Sequence, residues 1–277
     1  MRHFFHIGYN GFNYHGWQRQ SNDLTIQQVL EENLSKLLKE PIIILGCGRT
    51  DAQVHASQYF FHLDTNQKWN HNSYRDDLAF RMNKMLPHDI AVFDIIPVSE
   101  NSHAQYDAKQ RTYDYFIHTY KDPFLNTMSA FYLLKNLQYD KMNVVVSLLV
   151  KYKDYRAFCK SPDQYKNTLC NISSAKLFSD KKGDKLRFQI TSDRFLHGMI
   201  RAIAAKLLKV GTGEISVDEF ENHLISKETQ SNLEFAYPQG LCLSKVVYSF
   251  LDIPARTEFS SISQRENEWA PIDIGMV

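Results

Sequence analysis

The stretch Pro41-Ile42-Ile43-Ile44-Leu45-Gly46-Cys47-Gly48-Arg49-Thr50-Asp51-Ala52-Gln53-Val54-His55-Ala56 divides into three parts. The apolar run 41–45 reads as a buried strand, Gly46 and Gly48 break it, and apolar alternation resumes near Tyr59-Phe60-Phe61-His62-Leu63 as a second strand. The loop between them carries one carboxylate, Asp51, two residues after a fixed cation, Arg49. Loops on a rigid scaffold concentrate catalytic groups, because the scaffold holds them while leaving them accessible. A carboxylate placed there can be a nucleophile. The same spacing also suits a turn in which Asp51 caps the backbone and Arg49 is a surface cation.

Outward from this loop, periodicity predicts a strand at 2–9, a helix at 25–39, strands at 41–47 and 56–64, a helix at 74–85 and a strand at 89–97. The order is β-α-β-β-α-β. Thr25-Ile26-Gln27-Gln28 reads as a capping box, and Ile26, Val29, Leu30, Leu34, Leu37 and Leu38 form one apolar face of the first helix. The second half repeats the order with a strand at Tyr113–His118, a helix at 138–150, strands at 170–178 and 185–192, a helix at 195–209 and a strand at 241–250. An extra helix is inserted at 216–226. The expected fold class is therefore α+β, with two similar split βαβ (ferredoxin-like) halves whose largely antiparallel sheet carries helices on one face and leaves the other available. Two such sheets side by side would make one long sheet with a cleft across it. The expected division is 1–104 for the half with the Asp51 loop, 105–253 for the other half, and a tail at 254–277. The tail has mixed polar composition and no clear period, which fits either a strap over the body or a frayed end.

The composition, 43% hydrophobic and 13% aromatic over 277 residues, is that of a packed globular protein long enough for two modest domains. The N-terminal apolar run is too short for a signal peptide and no stretch approaches a membrane span, so a cytoplasmic protein is expected. Cys47, Cys159, Cys170 and Cys242 lack Cys-x-x-Cys spacing and the histidines form no compact ligand motif, so neither metal nor disulfide framework is expected. Net charge is only +1, but cations cluster at Lys151, Lys153, Arg156 and Lys160 and again at Lys181, Lys182, Lys185 and Arg187. Such clusters fit phosphate contacts or a solvated hairpin and helix end equally well.

Gly48-Arg49-Thr50-Asp51-Ala52-x-Val54-His55-Ala56 resembles the signature of the tRNA pseudouridine synthase A family. Further landmarks follow in the family's order. They are Tyr9-Asn10-Gly11 through Gly16-Trp17-Gln18-Arg19-Gln20, Asn83 through Leu86-Pro87-His88-Asp89-Ile90, His103-Ala104, Arg111-Thr112-Tyr113-Asp114-Tyr115, Phe195-Leu196-His197-Gly198-Met199-Ile200-Arg201 and Gly240-Leu241. The chain departs from the pattern at Asn10, where Asp is usual, at Gln53, where glycine is usual, and at Lys206, where a small residue is usual. A glycine at position 53 would permit a positive φ or a close approach, so Gln53 must strain or re-route the loop if the geometry needs either.

The resemblance implies an enzyme that isomerises uridine to pseudouridine in tRNA within a central RNA-binding cleft, working as a homodimer. It implies targets in the anticodon stem-loop at roughly positions 38 to 40, bases that must leave their stack to be reached. No atom is gained or lost, so no cofactor is implied. Asp51 matches the catalytic aspartate, acting as nucleophile or base. Arg201 matches the arginine that would approach it from the second half and favour its ionised form. Tyr113 matches the active-site tyrosine; alternation puts Tyr115 on the same face, and only the family register selects Tyr113. Arg49 would meet RNA phosphate or fill the space left by the flipped nucleotide, with Arg19 and Gln18 as further RNA contacts. Trp17 also fits a hydrophobic anchor. A non-catalytic RNA-binding protein on the same scaffold is the alternative, favoured by Gln53 alone. A glycoside hydrolase is poorly supported, since nothing pairs Asp51 with a second carboxylate such as Glu40 or Asp64.

Overall fold

The computed structural model describes residues 1–64, 69, 71–229, 232–254 and 269–272. Its elements in chain order are β1 (Arg2–Tyr9), α1 (Ile26–Leu38), β2 (Leu45–Gly46), β3 (His55–Asp64), α2 (Asn72–Met85), β4 (Ile90–Val98), β5 (Ala108–His118), β6 (Ala130–Phe131), α3 (Tyr139–Leu149), β7 (Ile172–Asp180), β8 (Lys185–Ser192), α4 (Met199–Thr212), α5 (Val217–Ser226), β9 (Leu241–Tyr248) and β10 (Trp269–Pro271). No helix among the described residues is long and apolar enough to cross a membrane. The chain divides into two compact units, one of Met1–Lys109 with the segment that begins at Cys242, the other of Gln110–Leu241 with β10.

In the first unit β1 is paired antiparallel on both sides, with β3 and with β4, while β2 adds two antiparallel pairs to β3. Thr25 caps α1 by accepting from the Gln28 N–H, and Ile26, Leu30 and Leu34 turn inward. β9, which the sequence places in the second half, runs parallel to β3 through His55↔Cys242 and Ala56↔Leu243. Gln58 fastens it, accepting from the Val246 N–H and donating to the Ile253 carbonyl, and the Tyr248 hydroxyl donates to the Ala104 carbonyl. The boundary expected at 104/105 therefore falls at Lys109, and the last strand packs with the first unit from Cys242 onward.

The expected strand at 41–47 shrinks to Leu45–Gly46. Ile43 is 78% and Leu45 50% exposed, and only Ile44 of the apolar run is fully buried. Side chains of α1 take the place of a ladder: Ser35 accepts from the Ile42 N–H, Glu31 accepts from the Ile44 N–H, and Gln27 donates to the Ile44 carbonyl. The strands β1 and β3 are buried on both faces rather than open on one. Phe5 and Phe61 stack at 4.6 Å on one side, and Phe4, Phe60 and Tyr248 cluster on the other.

Two buried imidazoles are expected to make this unit acid-sensitive. Burial, with the positive charge of Arg75, lowers His3 from 6.5 to about 4. Burial, with Arg2, lowers His62 to about 4 as well. Both bind a proton less well folded than unfolded, so their effect is absent above about pH 6.5 and stability falls as pH drops toward 4. Together they are expected to remove about 3 kcal/mol at a pH one unit below the unfolded histidine value. Urea unfolding at pH 7.5 and 5.5 measures this, and His62→Asn, which keeps an acceptor for the Ala104 N–H, should roughly halve the difference.

In the second unit β8 lies between β5 and β7, both antiparallel to it, and β6 runs parallel to the end of β5. Ser216 and Glu219 close a capping box on α5. Alternation along β5 sends Tyr113 and Tyr115 to one face and Asp114 and Phe116 to the other. On that second face the Arg187 guanidinium lies over Phe178 at 4.2 Å and Trp269 at 5.4 Å, with its Nε 3.9 Å from Asp114. Trp269 comes from the tail. β10 pairs antiparallel with β7, through Trp269↔Asp180 to Pro271↔Phe178, so this part of the expected tail is an ordered strand. Residues 255–268 and 273–277 of the tail lie outside the described residues.

Candidate active site

The loop from Gly46 to Val54 is held mostly through its backbone. Cys47 N–H donates to the Phe60 carbonyl, the Gly48 carbonyl accepts from the Tyr59 hydroxyl at 2.6 Å, and the Thr50 carbonyl accepts from the Trp17 N–H at 3.2 Å. The Thr50 hydroxyl meets the Tyr9 hydroxyl at 2.9 Å, and Gln53 N–H donates to the Tyr14 carbonyl at 2.9 Å. Residues 48, 50 and 53 are thus tethered, while Arg49 is exposed and Asp51 half-buried. Glycines make the close approaches possible. A Cβ on Gly46 would lie 2.1 Å from the Tyr59 hydroxyl, and one on Gly16 would lie 2.4 Å from the Thr50 carbonyl. Gly16 also has a φ of +84°.

Gln53 resolves the question raised by its departure from the family pattern: its φ is +64°. The loop keeps a conformation that favours glycine, and a side chain bears it at a cost of about 1–2 kcal/mol. Gln53→Gly relieves that cost but gives up about 0.4–1 kcal/mol of unfolded-state restriction. A net stabilisation of about 1 kcal/mol is expected, checked by the urea midpoint at unchanged slope.

Tyr113 and Arg201 belong to the second unit. Tyr113 is 8% exposed and meets the Phe195 ring edge-on at 5.3 Å. Tyr115 is fully buried, and its hydroxyl donates to the Tyr237 carbonyl and lies 3.3 Å from the Tyr132 hydroxyl. Burial, with the neighbouring Tyr132, drives the Tyr115 hydroxyl well above the ordinary tyrosine range, and the Arg201 charge offsets this only in part. It serves the core. Arg201 stands in the first turn of α4, behind Gly198, whose φ of +73° starts the helix later than the expected Phe195. Its Nε donates to the Ala236 carbonyl at 2.8 Å, its carbonyl accepts from the Ala236 N–H, and its guanidinium lies 5.5 Å from the Phe235 ring. The 235–236 segment therefore fixes both backbone and side chain of Arg201.

Arg19 and Gln18 follow directly on Trp17 beside the Asp51 loop, and both are exposed. Arg19 is tied to Glu31 at 3.0 Å and lies 3.8 Å from Glu32, which offsets much of its charge. Of the two cation clusters, the second loses Arg187 to the core, and the first has Arg156 paired with Asp163. Lys151, Lys153, Lys160, Lys181 and Lys182 are exposed. Among the described residues no group of three His, Cys, Asp or Glu side chains could hold a metal ion. Tyr9 and Thr50 stand in the motifs without any sign there that they tether the loop, and Tyr59 had no local signal beyond apolar alternation.

A family model described as tRNA pseudouridine synthase matches residues 148–249. A tRNA pseudouridine synthase A of Parabacteroides distasonis is 40% identical over 227 residues, 82% of this chain and 88% of that protein. The chain belongs to the tRNA pseudouridine synthase A family. Another member, from Porphyromonas gingivalis, is 36% identical over 247 residues, 89% of this chain and 97% of its own length. A third, from Thermoanaerobacter pseudethanolicus, is 33% identical over 244 residues, 87% and 97% respectively. The model's match within this tRNA pseudouridine synthase A family member holds Arg201, and not Asp51 or Tyr113. The Porphyromonas alignment reaches all three, since too few residues remain outside it to exclude position 51 from one end or position 201 from the other.

Proposed function

We propose that this chain is a tRNA pseudouridine synthase, isomerising uridine to pseudouridine in the anticodon stem-loop, with Asp51 as nucleophile or base. The observation that carries this reading is the tethered loop of a family member, which keeps its backbone fixed at 48, 50 and 53 and leaves Asp51 half-buried. Fixed backbone with an accessible carboxylate is what a reaction requiring near-attack geometry needs.

The reaction breaks the C1′–N1 bond and joins the same uracil to ribose through C5, so the C5 hydrogen leaves as a proton and N1 gains one. An ionised Asp51 either adds covalently to ribose or uracil, or takes a ribose proton to give a glycal. Arg201, its Nε held by the Ala236 carbonyl, is assigned as the cationic member of the catalytic set. Tyr113, braced by Phe195, is assigned to stacking on uracil and assisting loss of the C5 proton. Arg49, with its planar guanidinium, is assigned to phosphate or to the gap left by the flipped nucleotide, with Gln18 and Arg19 beside it. Each unit is read as a split βαβ, ferredoxin-like half, and the enzyme as a cytoplasmic homodimer. Release of tritium from uracil C5 of tRNA tests the reading. Saturable tRNA binding with no tritium released would instead support a non-catalytic RNA-binding protein.

A further inference from the structure

We infer that Tyr59 is a positioning residue for the isomerisation, acting through its hydroxyl on the loop that carries Asp51; this rests on the role proposed for Asp51. Tyr59 lies in β3, fully buried, and its ring stacks on Trp17 at 4.1 Å and leans on Tyr9 at 5.6 Å. Tyr9 and Trp17 are themselves loop tethers, through the Thr50 hydroxyl and the Thr50 carbonyl. Three rings thus form a platform under residues 48–50; Tyr9 and Tyr59 each send a ring hydroxyl into the loop, and Trp17 reaches it through its backbone N–H. The Tyr59 hydroxyl passes through the space left by the missing side chain of Gly46 and reaches the Gly48 carbonyl at 2.6 Å.

Arg49 is flanked by the tethered Gly48 and Thr50, and Asp51 follows directly on Thr50. Further along, Gln53 holds a backbone conformation that side chains rarely adopt. A strained residue persists only where its surroundings over-determine it. Here the surroundings are the contacts at 48, 50 and 53. Loss of the Tyr59 hydroxyl leaves the ring packing in place, and Gly48 is only half-buried, so water can take the hydroxyl's place on its carbonyl. The fold should survive while the loop gains freedom, and a displacement of about 1 Å at a reacting group can cost about a hundredfold in rate.

The test is single-turnover pseudouridine formation at saturating protein, with tRNA affinity and thermal stability measured on the same samples. Tyr59→Phe should lower the rate by about ten- to a hundredfold, with the affinity for tRNA within about twofold of the parent. Gln53→Gly on that background should recover at least about threefold, because it removes the strain that the hydroxyl holds in check. A Tyr59→Phe protein with the parental rate overturns the inference. So does one whose rate falls only in proportion to its folded fraction, since that is a packing role. Asp51→Asn, run alongside, separates the two levels: if it turns over normally, the assignment of Asp51 fails and this inference with it. If Asp51→Asn is inert while Tyr59→Phe is unaffected, the inference alone fails.

Discussion

Asp51→Asn is expected to abolish pseudouridine formation while leaving tRNA binding and stability close to parental. The amide is isosteric with the carboxylate and lacks its charge, so it can neither attack carbon nor take a proton. The fall should be at least about a thousandfold, or about 4 kcal/mol of transition-state stabilisation. The substitution leaves in place the tethers at 48, 50 and 53 and the hydrogen bond from the Val54 N–H to the backbone carbonyl of Asp51. Asp51→Glu restores the charge but moves it by one methylene and should recover only a small part of the rate. Tritium release and a binding titration on the same preparations check both variants.

The largest loss of stability is expected from Arg187→Met. Arg187 and Asp114 are both buried, and the guanidinium is sandwiched against Phe178 and Trp269. Burial makes the arginine less basic than usual, and the Asp114 charge opposes that shift. Gln189 adds a hydrogen bond to Asp114 at 3.0 Å. Removing the cation leaves a carboxylate in the core without its ionic counterpart, which costs about 3–5 kcal/mol. A change of that size lowers the melting temperature by about 10 °C for a chain of this length. Asp114→Asn added to Arg187→Met should recover much of it, because a neutral amide is easier to bury than a charge. Denaturant midpoints of the single and double variants measure the coupling.

That same arginine shows where the sequence misleads. Arg187 stands among Lys181, Lys182 and Lys185, and local charge suggests a solvated or phosphate-facing cluster. Its burial depends on Asp114, which the β5–β8 register brings diagonally beside it, two residues from its direct partner Phe116, and on Trp269, eighty-two positions away. Elements with a strong period of their own were legible. β1 and β8 end where the alternation predicts, and α1, α2, α3 and α5 lie within a few residues of their expected bounds. The 41–45 run misleads because an apolar stretch does not say what satisfies its backbone, and here the side chains of α1 do so. β5 begins at Ala108 rather than near Tyr113, since Lys109, Gln110 and Arg111 hide its start from any apolar pattern. The Asp51 loop was legible as a motif, and even the consequence of Gln53 was readable as a choice between strain and re-routing. Its tethers from Tyr9, Tyr14, Trp17 and Tyr59 were not, because contacts between distant segments leave no local trace.

Base-by-base mapping of pseudouridine in an unmodified tRNA transcript, incubated with the purified 277-residue chain and separately with its Asp51→Asn variant, decides both the activity and the role of Asp51. Pseudouridine is expected within the anticodon stem-loop, at roughly positions 38 to 40, with the parent protein and none with the variant. A transcript bound and left unmodified by the parent protein would overturn the proposed activity, and one modified equally by both proteins would overturn the role of Asp51.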